Sequence, residues 1–265
     1  MTDNRNHMTI DGAATILLAA EDERRDRPPL TEAWTNLDLA QAYAIQSETL
    51  RRRLARGESL VGLKLGLTSR AKQMQMGVSS PIIAWLTDAM PLPAGASLPQ
   101  EKLIHPRAEP ELVFVMGERL AGPGVTSASV LRAVASVRAG IEIIDSRYTN
   151  FRFTLPDVVA DNASAAKFVL GAAALPPSAL DLASEECVLK VNGKTVASAT
   201  GADVQGQPAE AVALAVNELA ERNLAVEAGW IVMTGGMTDA VFIPPRTTIS
   251  ADFTNLGIVS IYGGD

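Results

Sequence analysis

Apolar positions along the chain follow two periods in succession. The first sixty or so residues look helical. The stretch 10–23 is rich in Ala and Leu, and Arg27-Pro28-Pro29 ends it. The stretch 37–57 predicts a long helix, with Leu39, Tyr43, Ile45 and Leu50 near one stripe and Gly57 as its C-cap. After residue 60 the pattern shortens to β-type runs punctuated by Gly and Pro: 60–65, 112–116, 141–144, 187–191, 230–234, 247–253 and 258–262. An Asn192-Gly193 pair between extended segments signals a hairpin. Two helices, 127–138 and 208–222, interrupt the β region. The expectation is an α+β chain with a helical N-terminal part (1–60) and a β-rich body (61–265). No internal repeat or low-complexity tract is visible.

Composition narrows the function classes. The chain has 265 residues, 47% hydrophobic and 20% charged, enough for one large domain with a sizeable core. Its net charge of −7 argues against nucleic acid or an anionic membrane as partner. Arg51, Arg52, Arg53 and Arg56 read as a solvated helix face. A single cysteine, Cys187, excludes an intrachain disulfide and a CxxC site, and fits a reducing compartment. The N-terminal stretch lacks a signal-peptide pattern, and no apolar run approaches the roughly 20 residues of a membrane span. A cytoplasmic protein is expected.

The candidate chemistry is acidic. Glu109 and Glu111 lie two apart in a strand-like segment, so both side chains share a face. Two adjacent carboxylates repel unless a cation or a proton compensates. A third acid, Glu142, sits among Ile141, Ile143 and Ile144 and needs a partner there. Three carboxylates from two β segments would make a hard oxygen site for Mg²⁺ or Mn²⁺. The spacing alone also allows solvated glutamates at a strand end, with Glu142 paired to Arg147 or a lysine. Pro110 between the two acids suits a strand start or edge. Lys64, between Gly62 and Gly66, either snorkels to the surface or is a buried proton carrier or carboxylate anchor. Asp161, Asn162 and Ser164 lie where a strand or loop is expected to enter a helix, so an N-cap is the simple reading. Gly235-Gly236 predicts a tight hairpin, with Thr234 alternatively lining a pocket. The two histidines, His7 and His105, have no acylation serine motif or Cys–His partnership around them, which argues against nucleophilic hydrolysis.

Taken in order, the segments 62–78, 105–115, 141–153, 158–164 and 233–241 resemble the 2-oxopent-4-enoate hydratase / 4-oxalocrotonate decarboxylase family of the fumarylacetoacetate hydrolase-like superfamily. The resemblance implies a mixed β-roll body with a helical N-terminal part. It implies Mg²⁺ or Mn²⁺ held by Glu109, Glu111 and Glu142, with Lys64 as the catalytic residue facing the substrate. Asn162, Ser164 and Thr234 fall in segments that line the family's pocket. The hydratase branch carries acids in a GVDxPDFG stretch, and here residues 77–86 read GVSSPIIAWL. The decarboxylase branch carries LIHP and DSRYxNFxF, matched here by residues 103–106 and by Asp145, Ser146, Arg147, Tyr148, Asn150, Phe151 and Phe153. The chain departs from both branches at Ser79, Ser80, Ile83 and Ala84, and by Pro110 within its ExE.

The implied activity is decarboxylation of 2-oxohex-3-enedioate (4-oxalocrotonate) to 2-hydroxypenta-2,4-dienoate and CO₂ in meta-cleavage catabolism of aromatic compounds. His105, Arg147 or Tyr148 would hold the second carboxylate or shape its pocket. The alternatives are hydration of 2-hydroxypenta-2,4-dienoate to 4-hydroxy-2-oxopentanoate, a non-catalytic partner subunit of a hydratase–decarboxylase complex, and C–C hydrolysis of an acylpyruvate. Implied partners are a small 2-oxo acid, further copies of the chain in a homo-oligomer, and a related hydratase.

Overall fold

Side-chain caps set where the N-terminal helices begin. In the computed structural model, which describes residues 8–264, the Thr9 hydroxyl accepts from Gly12 N at the start of α1 (Ile10–Asp22). After the single turn α2 (Leu30–Ala33), Asp38 and Gln41 close a capping box at the start of α3 (Leu39–Ala55). Four further helices follow: α4 (Arg70–Met76), α5 (Ser127–Ala133), α6 (Leu155–Ala160) and α7 (Pro208–Glu221). The strands are β1 (Leu60–Gly66), β2 (Ile82–Thr87), β3 (Pro91–Leu92), β4 (Ser97–Leu98), β5 (Arg107–Met116), β6 (Val134–Ile144), β7 (Ala165–Leu170), β8 (Glu186–Val191), β9 (Lys194–Thr200), β10 (Ile231–Met233), β11 (Val241–Phe242), β12 (Thr248–Phe253) and β13 (Gly257–Gly263). His7 lies outside the described residues.

Two mixed sheets form the body. The larger runs β2-β1-β10-β5-β6-β7-β3, with β11 added to the free half of β5; the smaller runs β4-β13-β12-β8-β9. Strand alternation gives the larger sheet two different faces. One face sends Leu63, Leu65, Leu112, Phe114, Ile141 and Ile143 into a core shared with Ile249, Val259 and Ile261 of the smaller sheet and Val212 and Val216 of α7. The other face carries Val113, Phe168 and Met233 in a smaller apolar patch. Part of it, around Ile82 and Ala84, is covered by Ala14 and Leu17 of α1, Ile45 of α3 and Val159 of α6. The N-terminal helices thus complete a cluster that body residues begin.

All seven expected β runs are strands, and Asn192-Gly193 turns the β8–β9 hairpin with positive φ at both residues. Four expectations need correction. The helix over 127–138 stops at Ala133, because Val134 onward pairs with the full length of β5. The strand-to-helix order at 158–168 is reversed: α6 comes first and β7 follows, so Asp161 and Asn162 end a helix rather than cap one. Gly235-Gly236 does not close a hairpin, since β10 and β11 pair with β5 and not with each other. The arginine cluster is no free solvated face. Arg52 meets Asp11, Arg53 meets Glu21 and Arg56 meets Asp22, which clasps α3 to α1. β2 escaped the pattern because all six of its residues are buried, which erases the alternation.

Gly62 lets the parallel pair β1–β10 close. A Cβ there would lie 2.0 Å from the Ile231 carbonyl oxygen, a backbone atom held in the ladder. Gly62→Ala should lower unfolding stability by about 3 kcal/mol, the upper range for overpacking, in urea titration. A loss under about 1 kcal/mol would contradict this packing.

Candidate active site

The register of β5 on β6 builds the acidic cluster. Glu109 stands directly opposite Glu142, and Glu111 opposite Gly140. Paired and alternate residues share a face, so the three carboxylates converge. One oxygen from each lies within 4.8 Å of the others. Glu111 and Glu142 are buried and Glu109 is half-buried. Pro110 is tolerated here because its backbone faces the gap between β10 and β11. Its carbonyl accepts from Met237 N in the intervening loop (2.9 Å), and no ladder N–H is required on that side.

Glycines bring that loop onto the glutamates. Gly235, at φ 112°, donates its N–H to Glu111 Oε2 at 2.9 Å. A Cβ on Gly236 would lie 3.1 Å from Glu109 Cδ. From β1, Lys64 Nζ reaches Glu142 Oε2 and the Ala163 carbonyl oxygen, each at 2.9 Å, and is buried. Ala163 is the middle of three successive left-handed residues, Asn162, Ala163 and Ser164, at φ 50°, 47° and 58°. That unusual turn is clamped on both sides. The Asn162 side chain accepts from Trp85 N (2.8 Å) and donates to Trp85 O (2.9 Å). Ser164 Oγ donates to Asp161, whose carboxylate pairs with the Arg147 guanidinium.

The electrostatics ask for a cation. Burial, joined by repulsion from Glu142 and Glu109, raises the Glu111 pKa well above the usual carboxylate range. Burial, joined by Glu109 and opposed by Lys64, raises Glu142 to about 7. Burial works to lower the Lys64 pKa, but Glu142, Glu109 and Glu111 outweigh it and the net shift is upward. Among the described residues, Glu111 Oε1 and Glu142 Oε1 are buried without any hydrogen-bond partner. One ammonium cannot neutralise three carboxylates. An all-oxygen donor set with two orphaned, inward-facing oxygens fits a hard divalent cation such as Mg²⁺ or Mn²⁺.

The fold thus brings together Glu109, Glu111, Glu142 and Lys64, and it treats the remaining sequence candidates differently. Thr234 Oγ1 donates to the Leu112 carbonyl at 2.8 Å, which ties the glycine loop to β5. Asn162 and Ser164 brace the turn behind Lys64, as above. Arg147 is buried, with its donors taken by Asp161 and by the Asp145 and Ala165 carbonyls. Tyr148 is fully buried and its hydroxyl donates to the Asp157 carbonyl (3.2 Å). The donors of Arg147 and Tyr148 are thus engaged within the fold. His105 places Nε2 2.7 Å from the Ser146 carbonyl and its ring against Phe151. Ser80 turns to Glu218 on α7, and Ile83 and Ala84 are buried on β2. Sequence reading missed Asp161 as the partner of Arg147, and it missed Arg107. The signal for Arg107 was present: it stands two residues before Glu109, on the same face.

Comparison with known proteins identifies the family. Residues 69–261 match the family model described as the fumarylacetoacetate hydrolase C-terminal domain. The chain belongs to the fumarylacetoacetate hydrolase family. Within it, the chain is 44% identical to a 4-oxalocrotonate decarboxylase from a Pseudomonas species, covering 91% of each. It is 40% identical to a 2-hydroxypent-2,4-dienoate hydratase from Pseudomonas putida, covering 77% of this chain and 92% of the hydratase. The solved 4-oxalocrotonate decarboxylase of Pseudomonas putida, complexed with magnesium and adipate, superposes with a TM-score of 0.94 at 39% identity, covering 97% of this chain and 100% of that one. No helix among the described residues is long and apolar enough to cross a membrane.

The raised Glu142 pKa fixes a sign for metal-free protein. The folded state holds this proton up to about pH 7, whereas an unfolded glutamate releases it near 4.5. Folded protein then binds more protons in that window, so stability falls as pH rises through it. Glu111 acts in the same direction. In chelator, urea unfolding should show a decline on the order of 3 kcal/mol between pH 5 and pH 8, from about 1.4 kcal/mol per unit. Glu142→Gln should flatten this decline. A wild-type stability that climbs across that range would contradict the charge balance described here.

Proposed function

We propose that this chain is a metal-dependent 4-oxalocrotonate decarboxylase, converting 2-oxohex-3-enedioate to 2-hydroxypenta-2,4-dienoate and CO₂. The observation that carries the proposal is the pair of orphaned oxygens, Glu111 Oε1 and Glu142 Oε1, converging with Glu109 beside Lys64. The decarboxylase relative, matched along 91% of both chains, supports the choice of reaction.

In this reading Glu109, Glu111 and Glu142 hold Mg²⁺ or Mn²⁺. When bound, the cation supplies a Lewis acid for negative charge developing on the 2-oxo oxygen. Decarboxylation breaks the C5–C6 bond. Its electron pair forms the C4–C5 double bond, the C3–C4 pair moves to C2–C3, and the carbonyl pair settles on the C2 oxygen, which takes up one proton. Lys64 suits the management of that proton. Glu142 and the Ala163 carbonyl hold its ammonium in place, and burial strengthens its pull on a developing oxyanion. No water is added, and the segment 77–86 brings no acidic side chain that could activate one: Ser80 is engaged by Glu218, while Ile82, Ile83 and Ala84 are buried. Thr234, Asn162 and Ser164 serve the pocket by fixing its walls. Assembly with further copies of the chain or with a related hydratase, and a reducing cytoplasmic setting that suits the free, buried Cys187, belong to the same proposal.

The test supplies 2-oxohex-3-enedioate with Mg²⁺ and follows CO₂ release and absorbance. Turnover should vanish in the Glu109→Gln, Glu111→Gln double variant while circular dichroism stays unchanged. Lys64→Met should lower kcat by about 10²–10⁴, the range for an acid–base group. Rapid hydration of 2-hydroxypenta-2,4-dienoate, without decarboxylation, would replace this reading by the hydratase one. Full activity in the double variant would remove the proposed centre.

A further inference from the structure

The β5 face that carries Glu109 and Glu111 continues outward to Arg107. Alternation places Arg107 on the same side, about 7 Å from Glu109 along the strand. It stands opposite Ile144 on β6 and Phe242 on β11. Its guanidinium carbon lies 4.1 Å above the centre of the Phe151 ring. Among the described residues that guanidinium has no carboxylate or carbonyl partner, although the side chain is half-buried. Two other arginines of the body differ: Arg147 is saturated by Asp161 and two carbonyls, and Arg138 is held by the Gly171 carbonyl. Phe242, beside it, is 52% exposed, so this end of the face opens to solvent, whereas Glu111 and Glu142 are buried.

An aromatic platform fixes the plane of a guanidinium and leaves its N–H edge free. A fixed, partly desolvated edge matches a planar carboxylate with two parallel hydrogen bonds. We infer that Arg107 receives the second carboxylate of the substrate and makes the site selective for 2-oxo dicarboxylic acids over monocarboxylic ones. This rests on the decarboxylase reading above. The 2-oxo acid end lies at the glutamates and Lys64, and the carbon chain runs outward along β5. The spacing from Glu109 to Arg107 suits a six-carbon diacid in extended form. His105 packs on the same Phe151 ring, and its Nε2 is engaged by the Ser146 carbonyl. It therefore supports the platform while Arg107 makes the contact.

The chemistry gives this residue a kinetic signature. The carboxylate that Arg107 grips is the one that departs as neutral CO₂, so its charge declines in the transition state. The grip is then stronger in the ground state than in the transition state. Removing it raises KM and leaves kcat equal or higher. A structural role would lower kcat, and a role at the glutamate centre would weaken metal binding.

The experiment compares Mg²⁺-loaded wild type, Arg107→Gln and Arg107→Lys by calorimetry and steady-state kinetics. The probes are adipate, which spans both ends, and oxalate, which occupies only the 2-oxo acid end. Arg107→Gln should weaken adipate at least tenfold and raise KM for 2-oxohex-3-enedioate at least tenfold. Oxalate and Mg²⁺ affinities should stay within threefold and kcat should not fall. Arg107→Lys should recover part of the adipate affinity. Adipate binding unchanged in Arg107→Gln overturns the assignment while leaving the decarboxylase reading intact. So does a parallel loss of adipate and oxalate. A wild type that binds oxalate but neither binds adipate nor turns over the dicarboxylic acid overturns both.

Discussion

Three carboxylates crowded against one ammonium, on a face of the sheet that excludes most water, is the constraint that the rest of the site answers to. Like charges at this spacing separate unless the backbone forbids it, and here the backbone does. The β5–β6 ladder runs from Arg107 to Met116 and from Val134 to Ile144, so Glu109 and Glu142 cannot slide apart without shifting the register of the whole pair. Gly140, opposite Glu111, allows Val113 to close over the same surface, since a Cβ there would lie 2.5 Å from Val113 Cγ2. The dense core lies on the opposite face and secures the ladder without entering the site.

Lys64 is held from behind by a turn with its own internal conflict. Three successive non-glycine residues in the left-handed region cost on the order of 1 kcal/mol each. They persist because Asn162 is clamped to the Trp85 backbone and Ser164 leans on Asp161. The Asp161 pKa rises to about 6, chiefly from burial, with the Arg147 guanidinium opposing. A buried ion pair of this kind adds little net stability. Its use is geometric: it fixes the Ala163 carbonyl, and that carbonyl fixes the ammonium.

Much of this was legible in the residues themselves. The two-residue spacing of Glu109 and Glu111 already put both on one face, and the helical and β periods located the N-terminal part and seven strands. The third glutamate could not be joined to them by spacing, because its partnership depends on register across a long connection. The turn at 162–164 reads as an N-cap in sequence, since Asp, Asn and Ser favour both caps and left-handed turns, and only the order of α6 and β7 separates the two. The buried partner of Arg147, Asp161, lies 14 residues away, too far for spacing to join them. Arg107 was overlooked although the alternation that paired the glutamates also placed it beside them.

Manganese spin resonance reads out whether the glutamate cluster is a divalent-metal centre open to a 2-oxo acid. Metal-free protein titrated with Mn²⁺ should bind one ion per chain, and pyruvate or oxalate should change the bound spectrum. Binding should be lost in Glu111→Gln. A protein that binds no stoichiometric Mn²⁺, or binds it equally well without Glu111, has no metal centre at this cluster.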